Sequence, residues 1–155
     1  MKDSEQYYAA AAMLIRKPVA IVFDAFIDPE ITTKIWFTKS SGRLEEGKTI
    51  EWTWEMYNHS VTVNVTHIEV DKKIEIEWGN YSQKSQVTWA FTALGEDQTF
   101  VSIVNSGFQG DAAQLIAQVR DSTEGFTLVL AALKALLEKD IRLNLVGDRF
   151  PKGLQ

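Results

Sequence analysis

The stretch Thr49-Ile50-Glu51-Trp52-Thr53-Trp54-Glu55-Met56 alternates without a break: Ile50, Trp52, Trp54 and Met56 fall on one side, Thr49, Glu51, Thr53 and Glu55 on the other. Successive side chains of a strand point to opposite faces, so a period of two predicts a strand with one buried and one wet face. The pattern repeats downstream. Val61, Val63 and Val65 oppose Thr62, Asn64 and Thr66; Ile74, Ile76 and Trp78 oppose Lys73, Glu75 and Glu77; Val87, Trp89 and Phe91 oppose Gln86, Thr88 and Thr92. A last strand is expected over residues 99–105, with Val101 and Ile103 on one face; Phe100 and Val104 on the other predict that part of the outer surface is covered too. The separators Tyr57-Asn58-His59-Ser60, Asp71-Lys72, Gly79-Asn80-Tyr81-Ser82 and Gly95-Glu96-Asp97 are short and turn-rich, so neighbouring strands should pair as antiparallel hairpins. After Val65 the apolar parity moves to Ile68 and Val70, which predicts a bulge near His67.

Working outward, a first strand is expected over residues 9–17. Pro18 then opens Val19-Ala20-Ile21-Val22-Phe23-Asp24-Ala25-Phe26, a spacing suited to a short helix with proline in its first turn. Asp28 as N-cap, Pro29 and Glu30, with Ile31, Ile35 and Trp36 on one face, predict a second short helix. At the other end, Asp111 caps a helical stretch reaching about Arg120. Ser122 and Thr123 start the strongest helix, where Phe126, Val129, Leu130, Leu133, Leu136 and Leu137 form a stripe wide enough to lie on a sheet. The order is strand, two short helices, an antiparallel set bringing the sheet to about six to seven strands, and a long C-terminal helix, an α+β arrangement. One helix cannot fill the concave face of so wide a curved sheet, and a gap is expected near the two short helices.

At 155 residues the chain fits one domain, 1–155. Hydrophobic residues at 45% and charged residues at 24% exclude a disordered or fibrous chain. A net charge of −5 and pI near 5.1 argue against a nucleic-acid partner, which needs a clustered basic surface. Cysteine is absent, which removes disulfides, thiolate metal sites and a cysteine nucleophile, and His59 and His67 alone cannot build a zinc site. No metal and no cofactor are expected. The early apolar run at residues 9–15 is too short and too poorly flanked for a signal peptide or a membrane span, so a cytoplasmic protein without a membrane partner is expected. No nucleophile elbow, phosphate-binding glycine loop, dinucleotide fingerprint or His-Glu-x-x-His occurs. Glu51, Glu55, Glu75 and Glu77 lie opposite the apolar faces, where a solvated outer surface accounts for them.

Several short motifs carry a resemblance. Lys17-Pro18 followed by Phe23-Asp24-Ala25-Phe26, then Asp28-Pro29-Glu30 and the aromatic pair Trp36-Phe37, resemble the START-like (SRPBCC) superfamily with its helix-grip fold. Gly47 before the aromatic strand, Asn105-Ser106-Gly107-Phe108 after the last one, Glu124-Gly125-Phe126 and Leu133-Lys134-x-Leu136-Leu137-Glu138 are similar to the activator of heat-shock protein 90 ATPase-like family within it. The resemblance runs from about Ala11 to Glu138. Where family members often carry Trp-Trp, Gly-Gly and Trp, this chain has Trp36-Phe37, Glu46-Gly47 and Phe126, which bears on cavity shape rather than fold.

All five tryptophans fall on inward faces or at the end of the second short helix. The expected walls of an internal cavity are Trp36, Trp52, Trp54, Met56, Trp78, Trp89, Phe91, Phe126 and Leu130, suited to a flat, mostly apolar aromatic or lipid-like ligand. His67 near the bulge and Asn105 on the inward parity of the last strand are the candidate polar handles. The leading expectation is non-catalytic binding of a small hydrophobic molecule. A cyclase or dehydratase is the alternative that would need His67, Asn105 or Tyr57 to converge on the cavity, and a chaperone-associated protein is the one that would use the outer sheet or tail. The tail, residues 140–155, carries Ile141, Leu143, Leu145, Val146 and Phe150 and is expected to pack back on the domain or on a second copy in a homodimer.

Overall fold

In the computed structural model the described residues are 6–79 and 83–154, so Asn80, Tyr81 and Ser82 of one expected turn lie outside them. The elements in chain order are β1 (Ala9–Ile15), α1 (Val19–Ile27), α2 (Pro29–Thr32), β2 (Lys39–Ser40), β3 (Thr49–Trp54), β4 (His59–Glu69), β5 (Lys73–Trp78), β6 (Ser85–Ala93), β7 (Thr99–Ser106), α3 (Ala112–Lys139) and α4 (Leu145–Asp148). The strands form a seven-stranded antiparallel sheet in the order β1-β7-β6-β5-β4-β3-β2, the α+β helix-grip architecture. The two-residue β2 is too short for a periodicity to reveal.

The period-two reading fixes the faces. Ile50, Trp52, Trp54, Val61, Val63, Val65, Ile74, Ile76, Val87, Trp89, Phe91, Val101 and Ile103 are all buried and belong to one core. The β4–β5 register shifts between Val65 and His67, the bulge expected there. Beyond Trp54 the strand gives way to a 3-10 turn at Glu55–Tyr57, closed by Asn58 in the left-handed region (φ 49), so Met56 does not continue the β3 face. On the outer face Phe100 is 40% exposed while Val104 is half-buried, so the covering expected there reaches Val104 and leaves Phe100 largely open.

Pro18 lies one residue ahead of α1 as its N-cap, and Asp28 caps α2 by accepting the Glu30 N–H at 3.0 Å. Both roles suit these residue types, proline with its fixed φ and aspartate with a short acceptor. α3 is one unbroken helix of 28 residues rather than two pieces. Asp111 and Gln114 form a reciprocal capping box at its start (2.8 and 2.9 Å), and nothing in residues 120–123 breaks the helix. Its Phe126, Val129, Leu130 and Leu133 are buried, with Leu136 and Leu137 half-buried against the same core.

α3 also packs along β1, the edge strand. Lys134 Nζ donates to the Leu14 carbonyl and to Glu138 Oε2, both at 2.7 Å, and Glu138 Oε2 accepts the Arg16 N–H at 2.7 Å. The tail turns back: Leu145 and Val146 pack on the core, while Ile141, Leu143 and Phe150 are exposed.

Candidate functional site

Trp36 sits where the chain leaves α2. Its N–H donates to the Thr32 carbonyl at 2.9 Å, and two residues on, the Thr38 N–H and Oγ1 both donate to the Thr53 carbonyl (2.9 and 3.0 Å). The segment is therefore clamped between α2 and β3, which presses Phe37 flat on Trp52 (centroids 4.5 Å, 16°) and drives Trp36 into the concavity. There the Trp36 ring meets Trp52 at 4.8 Å, Phe126 at 5.4 Å, Trp78 at 5.7 Å, and Trp54 and Trp89 at 6.1 Å. These are the tilted and edge-on geometries that aromatic quadrupoles favour. Trp36 is a plug, and it divides the interior.

Three adjoining lobes open beside this cluster, two of them walled by Trp36 itself. One of about 370 Å³ is lined by Trp36, Trp78, Phe108, Phe126 and Gly125 with the polar Ser85, Asn105, Gln118, Asp121 and Ser122. A second, about 390 Å³, lies between Trp54, Tyr57, His59, Val61, Trp78 and Ser85. A third, about 500 Å³, runs from Trp36 and Gly125 to the tail residues Val146, Arg149 and Phe150. Shared walls join them: Trp78 and Ser85 between the first two, Trp36, Asp121 and Gly125 between the first and third, and Tyr57 between the second and third.

The structure thus brings Trp36, Trp54, Trp78, Asn105 and Phe126 to the cleft and leaves other expected wall residues elsewhere. Trp52, Trp89, Phe91 and Leu130 are packed inside the core, Trp89 and Phe91 against Phe26 and Phe91 also against Phe23. The Trp89 indole N–H is buried with no acceptor among the described residues and lies amid rings, Phe126 standing edge-on to it at 89°. Met56 faces a small hollow beside Thr33 and Val146. His67 is on the outer surface, where Nδ1 lies 3.3 Å from Glu46 and Nε2 lies 3.0 Å from Glu69; the Glu69 hydrogen bond raises its pKa and lowers that of Glu69. Strand parity could not show this, because the bulge reverses it at that point.

Asn105 is 2% exposed and fully engaged as a donor. Its Nδ2 donates to Ser85 Oγ (2.9 Å) and the Gln86 carbonyl (2.8 Å), and its Oδ1 accepts from Ser122 Oγ (2.8 Å). The Tyr57 hydroxyl donates to the Val146 carbonyl at 2.6 Å, so it fastens the tail. His67, Asn105 and Tyr57 do not converge.

At the mouth, Arg149 pairs with Glu124 at 2.6 Å and Arg120 lies 3.7 Å from Asp121, two cations against two anions. Hydrogen bonding to Glu124 raises the Arg149 pKa further, so it stays charged. The mouth is thus electrically balanced, with no excess of either sign among these four side chains.

Sequence reasoning missed Ser85, Ser122 and the role of Gly125. A glycine inside a helix costs ~0.5–1 kcal/mol against alanine. A Cβ built on Gly125 meets no atom within 4 Å, so packing does not demand the glycine; its small size keeps the cleft wide. A larger depression of about 980 Å³ lies between α1, the loop before β3 and the β4–β5 turn, rimmed by Asp24, Glu45, Glu46 and Asp71 together with Arg43, which pairs with Asp24 at 3.1 Å. Among the described residues no group of three or more His, Cys, Asp or Glu could hold a metal ion, and no helix is long and apolar enough to cross a membrane.

Residues 16–138 match the family described as Activator of Hsp90 ATPase homolog 1-like protein. Among solved structures, the protein SSP2350 from Staphylococcus saprophyticus is similar at 29% identity and TM-score 0.74, over 88% of this chain and 95% of that one. The Aha1 dimer from Colwellia psychrerythraea matches at 18% identity and TM-score 0.72, over 85% and 96% of the two chains. PFC0360w, an HSP90 activator from Plasmodium falciparum, matches at 18% and 0.67, over 85% and 96%. The last two likenesses are of fold. No curated protein matches the chain.

Proposed function

Starting from the fact that the chain belongs to the Activator of Hsp90 ATPase homolog 1-like family of the START-like (SRPBCC) superfamily, we propose that its aromatic cleft binds a small, flat, neutral hydrophobic molecule without transforming it. The observation that carries this reading is the set of adjoining lobes that share walls at Trp78 and Ser85 on one side and at Trp36 and Gly125 on the other. Their volumes of about 370 to 500 Å³ fall inside the ~300–1,000 Å³ range of small-molecule sites, and their walls set aromatic rings beside a defined group of polar side chains. The three residues that the cyclase or dehydratase alternative would need do not converge: His67 is on the outer surface, Asn105 is committed to Ser85, Gln86 and Ser122, and Tyr57 is bonded to the tail, which weighs against that alternative.

Titration with fluorene tests it. Saturable changes in tryptophan emission and a melting temperature that rises with ligand concentration are expected, since a molecule that binds only the folded state stabilises it by mass action. Gly125→Leu fills the cleft while leaving the core untouched and should abolish both responses in a folded protein. No saturable response in the parent, or full binding by Gly125→Leu, would sink the reading.

Chaperone association is the second reading, favoured by the similar structures described as Aha1 and as an HSP90 activator. One of these is a dimer, which also makes a second copy of this chain a proposed partner; sedimentation equilibrium over a concentration series checks it.

A further inference from the structure

The first lobe has five polar side chains, and hydrogen-bond bookkeeping leaves one donor uncommitted. The Gln86 carbonyl can only accept, so the Asn105 atom 2.8 Å from it is the NH2 group, and the amide has a single orientation. It follows that Asn105 Oδ1 faces Ser122, whose hydroxyl must donate to it, and that the other Asn105 N–H points at Ser85 Oγ, which must accept. Gln118 spends its NH2 on the Gln109 and Gln114 carbonyls (2.9 and 3.0 Å), and Asp121 is an acceptor. The Ser85 proton remains, with no acceptor for it among the described residues. Ser85 is 9% exposed, opens β6, and sits on the wall shared by the first two lobes.

We propose that the Ser85 hydroxyl is the specificity-determining donor of the cleft, and that the ligand is a flat apolar molecule bearing a carbonyl or ether oxygen that accepts from it. This rests on the cleft reading above and adds the polar half of the ligand. The chain Ser122 to Asn105 to Ser85 runs donor to acceptor in one direction, so each bond polarises the next and the terminal hydroxyl is a better donor than an isolated serine. A hydrocarbon of the same outline leaves that buried proton unpaired, the situation in which a site built to hydrogen-bond discriminates most.

Equilibrium dialysis of the full chain with 9-fluorenone and fluorene separates the two ideas, because these molecules share a ring outline and differ at the carbonyl. The parent should bind fluorenone about tenfold more tightly, the effect of one net hydrogen bond of ~1.4 kcal/mol. Ser85→Ala should bind both alike, near the parent's affinity for fluorene. Ser85→Thr keeps the hydroxyl and should keep the preference, which guards against a folding defect in the alanine variant. Equal binding of both probes by the parent, or a preference that survives Ser85→Ala, overturns the Ser85 assignment while the cleft reading stands. Binding of neither probe overturns both.

Discussion

The same strands behave differently at their two ends. β5 carries Ile74 and Ile76, both fully buried, and then the half-buried Trp78; β6 runs from Phe91, Trp89 and Val87 to Ser85; β7 runs from Val101 and Ile103 to Asn105. At the first end α1 lays Phe23 and Phe26 on β6, and the second half of α3 adds Leu130 and Leu133 to the same core. At the other end the cover is Trp36, Phe126 and a glycine. Alternation along a strand decides which face is buried; the element lying over that face decides whether it is filled or left as a cleft.

The largest effect should come from the filled end. Leu133→Ala removes a fully buried side chain and should cost about 2–5 kcal/mol by denaturant unfolding, as large-to-small core changes do. A variant as stable as the parent would erase the contrast between the two ends. At the open end the sign should reverse: Gly125→Ala adds a methyl where nothing is within 4 Å and should stabilise the protein by ~0.5–1 kcal/mol. A loss of stability there would show that the glycine answers to packing after all.

A smaller change is expected at the mouth. The Arg149–Glu124 pair is more than two-fifths exposed on both sides, so solvent screening keeps the stability change on Arg149→Ala below both of those above by the same measurement. The smallest belongs to His67, which lies at neither end. Its pKa is raised above 6.5 mainly by the hydrogen bond to Glu69. A raised folded-state value gives stability that is complete below the unfolded pKa and is lost as pH rises through the folded one. The melting-temperature advantage of the parent over His67→Gln should therefore be greatest below pH 6.5 and fade as pH rises above it. An advantage that grows with pH would contradict the assignment.

Much of this contrast was legible in the residues. The runs Trp52-x-Trp54, Ile74-x-Ile76-x-Trp78 and Val87-x-Trp89-x-Phe91 marked the inward face, and the parity change after Val65 marked the bulge. Parity says nothing about depth, however, so Trp52 and Trp89 could not be told from Trp54 and Trp78; the first two are filled over by packing from Phe37 and Phe26. Met56 was misplaced because a 3-10 turn, set by the left-handed Asn58, interrupts an otherwise perfect alternation. Ser85 and Ser122 were invisible because a small hydroxyl gains meaning only from what a distant strand or helix brings beside it. The tail's return depends likewise on one long-range contact, Tyr57 to the Val146 carbonyl.

The contacts of Lys134 and Glu138 with β1 bear on self-association. The unpaired edge of a sheet is a template on which a foreign strand can grow, and sheets commonly protect it with charge. Here the Leu14 carbonyl and the Arg16 amide are already bonded to Lys134 Nζ and Glu138 Oε2. α3 thus stands in for one rung of a missing eighth strand, and an approaching chain meets a satisfied ion pair at that end of β1 where free backbone would otherwise invite it.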